Sequence, residues 1–250
     1  MSTQISVWIC GPFGKMGTAL RNALEETTDI TVSGLISPEH VGNTCTVSGL
    51  EMKVSDSLET LAKESPLPEV IVDFTFAQVA YEDALFAAKN NINFVTGTTG
   101  LTDAQRNEII KAFDESKSSA IIASNFSVGA VLMMHFAAEA AKHFSHVEIV
   151  ETHHTQKKDA PSGTAITTRD MVVESSSHNA DSVPIHSVRL PGAVAHQQVL
   201  FSSAGEILRI EHDANDRTCF MPGVILAIRQ VGEVDGVQFS IESLLFPENQ

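Results

Sequence analysis

The chain has 250 residues, 43% of them hydrophobic, and a mean hydropathy of +0.05, so it can bury a full core in one large or two modest domains and is too apolar for a disordered chain. A formal charge of −15 excludes nucleic-acid binding through a broad basic face, and the longest apolar stretch, residues 128–141, contains His135 and Glu139 and falls short of a membrane span. Cys10, Cys45 and Cys219 stand far apart without a Cys-x-x-Cys spacing, and no basic segment with a signal-like apolar run opens the chain, so a reduced, cytoplasmic protein without disulfides or a thiolate zinc site is expected.

Residues 5–10, Ile-Ser-Val-Trp-Ile-Cys, read as a strand, followed by Gly11-Pro12-Phe13-Gly14-Lys15-Met16-Gly17 and a helical run over 18–26. Glycines in such a loop let the backbone turn tightly and approach a pyrophosphate, whose charge then rests on the helix-start amides. The spacing is Gly-x-x-Gly-x-x-Gly, and on its own it does not separate cofactor binding from a turn made for packing. A second strand over 30–36 ends in Ser37-Pro38-Glu39 with no acid at its tip, where an acid would favour NAD. With Lys15 able to meet a 2′-phosphate, the choice leans to NADPH without excluding NADH.

Residues 44–55 read as a strand-and-turn excursion, with Ser57 capping a short helix to residue 64. Strands over 70–74, 92–95 and 120–123 alternate with helices over 77–90 and 103–116, which implies a doubly wound parallel sheet. Ligands of such sheets lie outside the strands' carboxyl ends. Three ends are polar: Asp73-Phe74-Thr75, Thr96-Gly97-Thr98-Thr99-Gly100 and Ser124-Asn125-Phe126-Ser127. Helix capping accounts for any one of them better than for all three.

Ser127 caps an apolar helix over 128–143, and an alternating run over 147–151 predicts a strand. His153, His154, Lys157 and Lys158 follow, and Asp159-Ala160-Pro161-Ser162-Gly163-Thr164 opens a helix over 166–174. A strand end, a cationic loop and a helix N-terminus make a place where a small dicarboxylate could be held and protonated. The bland alternative is a solvated basic loop. A metal site of Glu151, His153 and His154 is disfavoured, because adjacent histidines in extended backbone point apart and no third ligand is evident. Strands over 185–190, 198–202 and 207–212 cluster in a second, open-faced layer of the kind used as an oligomer interface. A helix over 223–230 and a strand over 237–245 return to the first domain. The expected division is therefore residues 1–126 with 217–250 for the dinucleotide and 127–216 for substrate and assembly.

Glu151-Thr152-His153-His154-Thr155-Gln156-Lys157-Lys158-Asp159-Ala160-Pro161-Ser162-Gly163-Thr164-Ala165 resembles the Glu-x-His-His-x-x-Lys-x-Asp-Ala-Pro-Ser-Gly-Thr-Ala stretch of the dihydrodipicolinate reductase (4-hydroxy-tetrahydrodipicolinate reductase) family. The glycine loop, Val72-Asp73-Phe74-Thr75, Gly97-Thr98-Thr99-Gly100 and Asn125-Phe126-Ser127 are similar too, so the resemblance runs nearly end to end. It implies a Rossmann-like doubly wound sheet with a second α+β domain carrying an open sheet. The implied activity is NAD(P)H-dependent reduction of a cyclic unsaturated dicarboxylate in lysine and diaminopimelate biosynthesis, by a homotetramer. His153 would be the catalytic acid/base and Lys157 the second proton donor, with His154, Lys157, Ser162, Gly163 and Thr164 on the substrate carboxylates. Gly11, Pro12, Phe13, Gly14, Lys15, Met16, Gly97, Thr98, Thr99, Ala123, Ser124, Asn125 and Phe126 would bind the nicotinamide cofactor. Two departures stand out: Gln197, with His196 beside it, occupies the usual histidine position after Arg189, and Ser37 stands where NADH-preferring members commonly carry an acid.

Overall fold

Apolar runs without alternation become the middle of a parallel sheet, because they must be covered on both faces. In the computed structural model, which describes residues 4–247, the first such strand is β1 (Ile5–Cys10), followed by α1 (Lys15–Leu24) and β2 (Ile30–Ile36). A hairpin of β3 (Thr44–Val47) and β4 (Leu50–Ser55) leads to α2 (Leu58–Glu64). Then β5 (Val70–Asp73), α3 (Ala77–Lys89), β6 (Asn93–Thr96), α4 (Asp103–Asp114) and β7 (Ala120–Ile122) alternate, with every residue of β5 and β7 buried.

The next elements are α5 (Val128–Ala141), β8 (His146–His153), α6 (Gly163–Ser175), β9 (Ile185–Arg189), β10 (Ala195–Ser203) and β11 (Glu206–Ala214). The chain closes with α7 (Met221–Gln230), β12 (Val237–Gln238) and α8 (Glu242–Leu245). Two compact units result: the chain up to Phe126 together with the part from Phe220 onward, and Ser127–Cys219 between them.

The first unit holds an eight-stranded sheet in the order β12-β7-β6-β5-β1-β2-β4-β3, parallel except for the β3–β4 hairpin. Trp8, Ile71, Phe94, Ile109 and Phe113 lie in its core. This is the Rossmann-like fold expected. Its returning segment is fastened by Arg229, which donates from Nε and Nη2 to the Asp29 carboxylate at 2.7 and 2.9 Å.

The second unit is a four-stranded mixed sheet, β11-β10-β8-β9, with α5 and α6 packing their small residues against one face. Ala137, Ala141, Ala165, Val147, Ile149, Val199 and Phe201 form that core. Ser57, Thr102, Ser127 and Ser162 each cap the helix that follows by accepting a backbone N–H. Among the described residues, no helix is long and apolar enough to cross a membrane.

Several boundaries differ from the sequence reading, among them an earlier helix start, a longer strand and a shorter one. Helix α1 starts at Lys15 rather than at residue 18, so Gly17 is helical and packs on the loop it leaves. Strand β8 continues to His153, because pairing with β10 and β9 satisfies its backbone that far. The strand expected over 237–245 is only Val237–Gln238: Ser240 Oγ accepts the Glu242 N–H at 3.0 Å, Ile241 drops into the core, and the chain coils into α8.

Candidate active site

In the first unit a cavity of about 800 Å³ opens at the carboxyl ends of β1, β2 and β5. Gly11, Phe13 and Gly14 line it from the first loop, whereas Pro12, Lys15 and Met16 are not among its lining residues. Gly11 sits at φ +77°, and a Cβ there would lie 2.7 Å from the Phe74 carbonyl oxygen. Helix α1 has no side-chain cap and no acid in its first turn, so its N-terminal amides and dipole are left to an external anion. An apolar wall, a bare helix start and close-approach glycines fit a dinucleotide.

The neighbouring strand ends are held by one carboxylate. Buried Asp73 accepts from Thr75 N and Oγ1 at 3.2 and 2.6 Å, from Thr96 Oγ1 at 3.1 Å and from Thr98 Oγ1 at 2.9 Å. Gly97 is wedged between the rings of Phe74 and Phe126, where a Cβ would come within 2.9 and 3.3 Å of them. Thr98 and Thr99 continue that loop. Ala123 and Phe126 are buried, with Ser124 and Asn125 between them at the end of β7, and Ala123 N–H donates to Thr96 O at 3.0 Å. The expected cofactor residues thus share one sheet edge, although only the first loop lines the large cavity.

Sequence reading missed the far wall. His40 stacks on Phe13 with ring centroids 4.3 Å apart and shares a hydrogen bond of 2.9 Å between its Nδ1 and Ser37 Oγ. Arg21 covers Phe13 and donates to Pro12 O at 2.9 Å. No local pattern ties these residues together, since their meeting depends on how β1 and β2 pair. Beneath the cavity, Cys10, Asp73 and Asp83 bring ligand-type atoms within 4.8 Å of one another. Burial and the Asp73 charge push Asp83 up to about 8, and burial pushes the Cys10 thiol up as well. Both shifts favour the protonated forms beside the Asp73 carboxylate.

The second unit places its polar cluster at the end of β8. Glu151 is 0% exposed, and alternation along the strand puts it on the same face as His153. His153 Nδ1 lies 2.5 Å from Glu151 Oε2, and Arg189 grips the same carboxylate with Nη1 to Oε2 and Nη2 to Oε1, both 2.9 Å. Ser162 N–H donates to Oε1 at 3.3 Å, and Arg189 Nη2 also donates to Asp159 O at 2.7 Å. Burial works against the charge on Glu151, but its bonds from Arg189, Ser187 and His153 prevail and hold its pKa below the ordinary value. For His153 burial dominates and, with the nearby Lys157 and Arg189 charges, outweighs Glu151, so its pKa is lowered.

Lys157 is not a free cation: its Nζ lies 2.7 Å from Asp159 Oδ2. Ser162 Oγ accepts the Ala165 N–H at 3.2 Å, and a Cβ on Gly163 would meet nothing within 4 Å. Thr164 follows in the first turn of α6, and His154 carries a buried Nδ1 with no hydrogen-bond partner. Gln197 faces Glu151 across the β8–β10 pairing and donates to Thr168 Oγ1 at 2.6 Å. Glu151 and Arg189 were not among the expected site residues. Glu151 had a legible signal, two residues before His153 on a strand, while Arg189 becomes a partner only because β9 pairs beside β8.

A family model described as "Dihydrodipicolinate reductase, N-terminus" matches residues 5–126, and one described as "Dihydrodipicolinate reductase, C-terminus" matches residues 129–245. The 4-hydroxy-tetrahydrodipicolinate reductase of Thermosynechococcus vestitus is 39% identical, with 98% of each chain covered. That of Streptococcus sanguinis is 42% identical over 97% of this chain and 100% of its own. Among solved structures, a dipicolinate-bound dihydrodipicolinate reductase from Paenisporosarcina sp. TG-14 is 36% identical, covers 96% of this chain and 99% of its own, and has a TM-score of 0.85. With both halves of the fold matched, the chain belongs to the dihydrodipicolinate reductase family, oxidoreductases that reduce 4-hydroxy-tetrahydrodipicolinate in lysine and diaminopimelate biosynthesis.

Proposed function

We propose a division of labour in which the first unit binds the nicotinamide cofactor through Gly11–Met16, Gly97–Thr99 and Ala123–Phe126, while the second binds and protonates the cyclic dicarboxylate. A nicotinamide cofactor held in the first unit would supply the hydride that reduces the ring. The reduction then takes one proton, which His153 would give from Nε2 to the neighbouring carbon, with Lys157 as the second group able to donate it. His154, Lys157, the Ser162 hydroxyl and the backbone amides of Gly163 and Thr164 take the two carboxylates. The Ser162 amide is already engaged by Glu151, so its part falls to the hydroxyl. The observation that carries this reading is the ionised Glu151 beneath His153 at the end of β8, next to Lys157 and the open start of α6.

Substrate entry requires Lys157 to exchange Asp159 for a ligand carboxylate. Asp159 is exposed and loses little by returning to water. Lys157→Ala therefore damages both KM and kcat, whereas His153→Ala lowers kcat roughly a hundredfold or more with KM nearly kept. Cofactor affinity barely changes in either. Oxidation of NADPH and NADH, followed by absorbance with substrate generated from pyruvate and aspartate semialdehyde, tests these roles beside a Lys158→Ala control. Normal turnover by His153→Ala would remove its assignment.

For cofactor choice we propose that NADPH serves at least as well as NADH, because β2 is followed by Ser37 rather than an acid. His40 stands at that tip, and Lys15, exposed at the start of α1, supplies a positive charge. Paired kinetics decide this, and a strong NADH preference unchanged by Lys15→Ala would refute it. A homotetramer assembled through the β8–β11 sheet and a cytoplasmic location complete the proposal.

A further inference from the structure

The carboxylate of Glu151 has no place among the groups proposed to touch substrate, yet donors from His153, Ser162, Ser187 and Arg189 converge on it. Being ionised, it can only accept, so the ring nitrogen facing it at 2.5 Å must carry a hydrogen. Neutral His153 is thereby held as the Nδ1–H tautomer, and Nε2 is left as the atom that takes up and releases a proton. Arg189 cannot serve as an acceptor, and its two-point grip fixes the carboxylate in the plane this requires. The same guanidinium holds the Asp159 carbonyl at 2.7 Å, and Glu151 holds the Ser162 amide, so one ion pair ties the histidine strand to both ends of the loop that starts α6.

We infer that Glu151, locked by Arg189, is a positioning residue that dictates which nitrogen of His153 exchanges protons and where the carboxylate-binding loop stands relative to it. This rests on the role proposed for His153. A neutral amide at position 151 exposes the logic. Two fixed donors, Arg189 Nη2 and the Ser162 amide, stand at the Oε1 position and one, Arg189 Nη1, at Oε2, so the oxygen takes the Oε1 position and the NH2 group turns toward His153 Nδ1. The ring must then accept there, and the tautomer inverts. The imidazolium also loses its anionic partner while the Lys157 and Arg189 charges remain.

The test uses the full chain with 15N-labelled histidine and reads ring tautomers by NMR beside steady-state kinetics. Expected are Nδ1–H in the wild type and Nε2–H in Glu151→Gln, with kcat down roughly a hundredfold, as for loss of a working acid/base group, and dicarboxylate KM within about threefold. The limb of the kcat–pH profile on which His153 loses its proton moves to lower pH. An unchanged tautomer in folded Glu151→Gln, or inversion with kcat kept, overturns the inference. If that variant does not fold, an Nε2–H ring in the wild type overturns it, and an Nδ1–H ring supports it. A wild type inactive on the dicarboxylate would instead sink the functional reading, leaving the tautomer spectra to decide this one.

Discussion

His153 is poised between opposing influences. Burial, Lys157 and Arg189 favour the neutral ring, and Glu151 favours the charged one. A dianionic ligand adds to the Glu151 side, so binding of the proposed cyclic dicarboxylate should draw a proton onto His153 and raise its pKa. Calorimetry in buffers of different ionisation enthalpy measures that uptake, and none near pH 7 would contradict the proposed acid. Asp83 offers a second test through stability. Its carboxyl sits at about 8 in the folded chain against 3.8 unfolded, so its stabilising contribution is complete below about pH 4 and is lost as pH rises through 8. Asp83→Asn, which carries no such charge, should gain stability over the wild type by on the order of a few kcal/mol at pH 8 and much less at pH 4. Parallel denaturation profiles across that range would show that Asp83 ionises normally.

Two helix starts, α1 and α6, are asked to hold anions, and their glycines differ in what surrounds them. A Cβ on Gly17 would lie 2.2 Å from Gly11 O and 2.8 Å from Pro12 Cα, so the loop and helix pack backbone to backbone. Gly17→Ala should destabilise the first unit by ~2 kcal/mol and weaken cofactor binding with it. Gly163 has open space instead, and Gly163→Ala should leave stability unchanged or raise it by up to about 1 kcal/mol. If substrate carboxylates approach the α6 amides, the same methyl raises dicarboxylate KM severalfold while melting temperature holds. Unchanged KM in Gly163→Ala would place the carboxylates elsewhere.

The open face of the second sheet carries Leu200, Arg209 and Ile207 in neighbouring register, with Ile207 58% exposed. Strand β11 is also an unpaired edge among the described residues. Such a face and edge need covering, which supports assembly through this sheet. Sedimentation should find a tetramer, and Ile207→Asp should shift it toward smaller species. A stable, fully active wild-type monomer would rule the assembly out.

The doubly wound first unit was legible because each buried strand is a continuous apolar run and each helix an amphipathic or capped one, signals carried within a few residues. The mixed second sheet was legible only as clustered strands, since nothing local states that β8 lies between β10 and β9. The region after Gln238 misled, because apolar residues there alternate as in a strand while Ser240 and the burial of Ile241 favour a turn. Residue types in the site followed from one stretch, Glu151 to Ala165, which displayed a histidine pair, lysines and a helix start together. What folding alone decided is their electrostatic partnership: Arg189 reaches Glu151 from 38 positions away, and Lys157 is tied to Asp159 rather than free. Charges interact through space and desolvation, and both depend on neighbours that strand pairing brings in, so a sequence states which groups can ionise while the tertiary structure sets which of them does.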